Sequence, residues 1–146
     1  MLAHLQPLVL FGWLLLAVTC FASWRWGGRP ERSGATLVLA ITVGFALAGY
    51  LLDKEVMRAV YLLLDGILAL GLLLLALRHA TRWLGVAVLL QGVQFSLHAY
   101  YLVAARRYDS LYALVNNLVS LGVLFCLLAG SILAWRWRKT SSVAAK

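Results

Sequence analysis

Charge is what this sequence has least of. Asp, Glu, Lys and Arg together make up 12% of its 146 residues, whereas an ordinary soluble domain carries about a quarter. Too few charged groups remain to cover a water-facing surface of normal composition. Acidic residues are scarcer still, five against thirteen Lys and Arg. Cys20 and Cys126 are the only cysteines and both lie in apolar stretches, which excludes a disulfide framework and a zinc knuckle. The short motifs of soluble catalysis are missing as well: no HExxH, no Cys-x-x-Cys, no Walker loop and no Gly-x-Ser-x-Gly elbow occurs. A bis-histidine haem needs a second imidazole opposite His98, yet His4 precedes the first apolar run and His79 closes the third. Neither metal nor cofactor is expected, and a non-enzymatic role is favoured.

What the chain does have is apolar sequence, 64% of its residues, with a mean hydropathy of +0.90. It is gathered into five runs at about 5–24, 35–52, 56–77, 83–103 and 111–135. Each is long enough to cross a ~30 Å hydrocarbon layer as a helix, and none alternates as a barrel strand does. The reading is an all-α, polytopic integral membrane protein: one transmembrane domain over 1–146, five helices in a compact bundle and a tail at 136–146. The connections are a turn holding Gly27, Gly28, Pro30 and Gly34, a charged corner at Asp53 to Glu55, and two short hinges, 78–82 and 104–110. Links this short make consecutive helices antiparallel neighbours. Asp53, Thr81 and Ser110 are placed to cap the helices that follow them. Leu8 to Val18 resembles a signal-peptide core in length, but the first basic residue is Arg25, so the segment reads as a retained helix.

The net charge of +8 would suggest nucleic acid in a soluble protein. Here the basic residues stand between the apolar runs, where they set orientation, and no nucleic-acid partner is expected. Nine Lys and Arg fall in the first and third connections and the tail, and four in the remaining connections. The positive-inside rule then puts the N-terminus outside and the tail in the cytoplasm, in a plasma (inner) membrane. Aromatic placement agrees. All six tyrosines fall at the proposed outer ends, while Trp24, Trp26, Trp83, Trp135 and Trp137 fall at the inner ends as interfacial anchors.

Ionisable and amide side chains inside apolar spans are costly and mark candidate sites. Asp65 is the carboxylate inside the third run, about 10 Å below its outer edge at Arg58. Gln91, Gln94, His98 and Tyr101 recur at spacings of 3, 4 and 3, which places them on one face of the fourth helix. His98 lies about 12 Å deep, and Asn116 and Asn117 on the fifth helix about 10 to 12 Å. Asp65, His98 and the asparagines therefore share one depth, with Gln94 and Ser120 a turn further in and Tyr50, Tyr61 and Tyr112 above. One reading is mutual satisfaction between packed helices, worth ~0.6 kcal/mol per hydrogen bond. The other is a polar cavity open to the outside, where Asp65 and His98 share a proton or hold a polar or cationic group. Gly44 with Ala48, and Gly85 with Gly92, are expected as helix-packing surfaces, and Leu73, Leu74 and Leu75 as a face for lipid or a partner helix.

Two functions follow as expectations. The first is a small accessory subunit that docks with itself, as a homo-oligomer, or with a larger membrane complex in the lipid bilayer. The second is a small oligomeric transporter or ion-coupled carrier built on Asp65 and His98.

Overall fold

The structure, a computed structural model, describes residues 6–144. They form five helices: α1 (Gln6–Trp26), α2 (Arg29–Leu51), α3 (Lys54–His79), α4 (Arg82–Val103) and α5 (Ser110–Ala144). All five are long and apolar enough to span a membrane, which suggests a multi-pass membrane protein. Helices are the natural solution for such runs, because each satisfies its backbone N–H and C=O groups internally, where no water can do so.

The helices form a closed ring. Each packs on its neighbours in the chain, α5 returns to α1, and among the described residues only the α2–α5 contact crosses the middle. An odd ring cannot alternate direction all the way round, so one adjacent pair has to be parallel. That pair is α1 and α5: Ser23 meets Ser131 and Trp26 meets Trp135, with both numbers rising together.

Three boundaries differ from expectation, each for a local reason. α2 begins at Arg29 rather than near 35, because Pro30 suits the first turn and the Glu31 carboxylate accepts the Gly28 N–H at 2.8 Å. The first connection shrinks to Gly27 and Gly28. α5 runs on to Ala144, through most of the expected tail. No glycine or proline stops it, and Thr140 and Ser141 bond back to the carbonyls of Arg136 and Trp137. Its 35 residues make about 50 Å, more than a hydrocarbon layer needs. Finally, α5 is capped by Asp109 instead of Ser110, since Asp109 Oδ1 accepts the Tyr112 N–H at 2.8 Å. Asp53 and Thr81 do stand at N-cap positions, but neither side chain makes the capping hydrogen bond.

The apolar core fills the half of the ring that contains the end of α1 and the starts of α2 and α4. Leu16, Ala35, Leu72, Leu84, Ala87 and Leu127 are buried there. Trp83, expected as an interfacial anchor, is buried and points inward. Its ring occupies the space left by two glycines: a Cβ at Gly34 would lie 3.0 Å from it and one at Gly130 only 2.5 Å. Its indole N–H donates to Glu31 Oε1 at 3.0 Å. By contrast, Gly85 and Gly92 do not act as packing surfaces, because a Cβ at either would meet nothing within 4 Å. Gly44 meets only the Leu64 side chain at ordinary contact distance.

Candidate functional site

In the other half of the ring, the polar residues of α3, α4 and α5 converge. Asp65 is fully buried, and its Oδ1 accepts the Gln91 amide N–H at 3.0 Å. His98 Nε2 lies 3.0 Å from Asp65 Oδ2 and 3.1 Å from Asn116 Oδ1. Its N–H is directed at the asparagine, so Asp65 Oδ2 stays at ion-pair distance without an aligned hydrogen-bond donor. Asn116 Oδ1 also accepts from the Gln94 amide at 3.1 Å, and the Ser120 hydroxyl reaches Gln94 Oε1 at 3.4 Å. Five sequence-derived site residues, Asp65, Gln91, Gln94, His98 and Asn116, therefore form one network. Their helix spacing accounts for this: Gln91, Gln94 and His98 lie along one stripe of α4, facing α3 and α5.

Tyr112 completes the network. Its hydroxyl lies 3.1 Å from His98 Nδ1. A neutral His98 with hydrogen on Nε2 accepts from Tyr112, and a doubly protonated His98 donates to it, because a phenol can play either part. The pair is thus built to hold a proton or to lose it without orphaning the ring nitrogen.

Two expected residues stand apart from this network. Tyr101 shares the buried stripe, but its hydroxyl donates to Asp109 Oδ1 at 2.7 Å. Asn117 borders the adjacent cavity, and its side chain makes no hydrogen bond with the described residues. Above the network lies an aromatic layer. Tyr108 stacks on Tyr112 with ring centroids 3.9 Å apart, Tyr101 and His98 pack edge-on to Tyr112, and the Arg58 guanidinium sits over Tyr108. Tyr112 N–H and the Tyr101 hydroxyl, in that order, hold the Asp109 carboxyl below the ordinary carboxylate range.

A half-open cavity of about 460 Å³, bordered by the exposed side chains of Val9 and Trp13, lies beside Asp65. Asp65, Gln91, Gln94, Asn117, Ser120 and Thr42 form its polar wall, and mostly apolar side chains from α1, α2, α3 and α5 form the rest. Tyr61 borders both this cavity and a second one at the tyrosine end, of about 760 Å³, that includes Arg58 and Tyr108. No cluster of His, Cys, Asp or Glu among the described residues has the makings of a metal site.

Glu31 is the buried carboxylate that the sequence concealed, and Thr19, Ser23 and Ser131 are buried polar residues it did not single out. Glu31 is 4% exposed, yet it stands among Gly28, Arg29, Pro30 and Arg32, a composition that reads as a solvated turn. The signal was the Gly28-x-x-Glu31 spacing of a helix start. Comparison with protein-family models, curated proteins and solved structures finds no match to this chain.

Proposed function

We propose that this protein is a small proton-coupled carrier of the plasma (inner) membrane, working as an oligomer, with its N-terminus outside and its tail in the cytoplasm. The observation that carries the reading is the 3.0 Å contact between Asp65 and His98 beside a half-open cavity. A buried carboxylate with one oxygen left without an aligned donor is costly packing but a serviceable proton acceptor. Five helices make a small enclosure for a carrier, and an oligomer supplies the missing bulk. Orientation rests on the excess of basic residues at the tryptophan end.

The test is flux. Vesicles containing the purified protein and an internal pH dye are given a pH gradient and a panel of inorganic cations, amino acids and amines. Proton movement driven by at least one solute, and lost in Asp65→Asn, is expected. Wild-type vesicles that match protein-free ones across the panel would falsify the carrier reading.

The docking reading draws on a different observation, the exposed row Leu63, Leu70, Leu74 and Leu77 on α3. Lipid covers such a row as well as a partner does. Native mass spectrometry from mild detergent separates the two, because a partner subunit must co-purify if docking is the function.

A further inference from the structure

The cavity beside Asp65 carries a more specific reading, which rests on the carrier proposal and names its substrate class. Its volume of about 460 Å³ lies within the range of small-molecule sites. Its polar wall is short of positive charge. Asp65 Oδ2 lacks an aligned donor, and Gln91 directs an amide N–H at Asp65 Oδ1. His98 is the ion-pair partner of Asp65 among the described residues, and Arg58 is drawn to Tyr108 instead. An anion would meet that carboxylate with no fixed cation opposite. A bare metal ion would need a shell of oxygens, and Leu16, Val38 and Leu124 form much of the remaining wall. Trp13, Phe45 and Tyr61 add aromatic faces, which attract organic cations.

We propose that the cavity binds an organic cation with an apolar body, its ammonium end against Asp65 and Gln91, in exchange for the proton held by the Asp65–His98 pair. One negative charge serves both occupants, so each displaces the other. The titratable groups around Asp65 are His98 from α4, Tyr112 from α5 by way of His98, and Tyr61 on α3 itself. The cavity-lining residues of α1 and α2 include no titratable side chain.

Benzyltrimethylammonium is a suitable probe because its charge does not titrate, and benzenesulfonate is its anionic counterpart of similar shape. Isothermal titration of the full-length protein in detergent, repeated in buffers of different ionisation enthalpy, reads both affinity and proton release. The expected result is binding of the cation but not the anion, tightening as pH rises, with net proton release. Asp65→Asn should weaken binding about tenfold or more. Gly12→Leu should weaken it as well, because Gly12 borders the cavity and a Cβ there meets nothing within 4 Å. Should Asp65→Asn fail to fold, the pH and proton-release measurements on the wild type decide by themselves. Absence of binding, equal binding of benzenesulfonate, or binding without proton release would each overturn the inference. The two proposals fail separately. Solute-driven proton flux without benzyltrimethylammonium binding leaves the carrier and removes the organic cation, whereas binding with proton release but no flux keeps the site and removes the carrier.

Discussion

The tryptophan end and the tyrosine end of this ring each bury a carboxylate, and they treat it in opposite ways. Glu31 has a donor for each oxygen, the Gly28 N–H on one and the Trp83 indole N–H on the other. Asp65 has an aligned donor for Oδ1 only, its Oδ2 held at 3.0 Å from His98 Nε2, and a cavity lies beside it. At the tryptophan end a large ring fills the middle, with α2 and α5 drawn against it through Gly34 and Gly130. A fully satisfied carboxylate in a filled core fixes structure. One left partly unsatisfied beside a cavity keeps capacity for a ligand or a proton.

The largest effect that would sharpen this contrast is at Gly130. Its missing Cβ would sit 2.5 Å from the Trp83 ring, which is rigid and has no room to retreat. Gly130→Ala is expected to cost about 3 kcal/mol in detergent unfolding, the upper part of the range for overpacking. A cost below about 1 kcal/mol would mean that Trp83 is not a plug. Next comes Glu31→Gln, which sets an amide NH₂ against one of two N–H donors and should cost about 1–3 kcal/mol while leaving solute flux intact. Asp65→Asn reverses that pattern: flux is lost while the stability cost stays at about 1 kcal/mol, that of the lost His98 contact, because the amide oxygen still accepts from Gln91. Ala80 closes α3 in the left-handed region, at φ 48°. Ala80→Gly should therefore stabilise by about 1 kcal/mol.

The smallest effect concerns Asp109, at the tyrosine end and outside the spans. Its folded carboxyl is held below the ordinary range by Tyr112 N–H and the Tyr101 hydroxyl. Its contribution is thus complete above the unfolded-state value and is lost as pH falls through the lower folded one. Acid titration followed by tyrosine fluorescence should show this loss, and Asp109→Asn should remove that part of the pH dependence.

The polar layer was legible in the sequence because Gln91, Gln94 and His98 keep helical spacing and share a depth with Asp65 and Asn116. The same stripe continues downward through Ala87 and Leu84 to Trp83, all buried, so the inward turn of Trp83 was within reach of the spacing. Its position at a helix end, in the company of basic residues, gave it the composition of an anchor instead. Glu31 was hidden for a related reason, since a Gly/Pro/Arg turn looks the same whether or not a helix start folds it inward. The parallel α1–α5 closure depends on tertiary contacts between the chain's two ends, and short connecting loops carry no trace of it.

The central claim is that Asp65 and His98 act as one unit. A double-mutant cycle with Asp65→Asn and His98→Gln, read in both unfolding free energy and solute-driven flux, tests it most directly. The expected result is a coupling energy of about 1 kcal/mol or more, with the double variant no worse in flux than either single one. Effects on stability that add to within about 0.5 kcal/mol, with flux losses that also add, would contradict it.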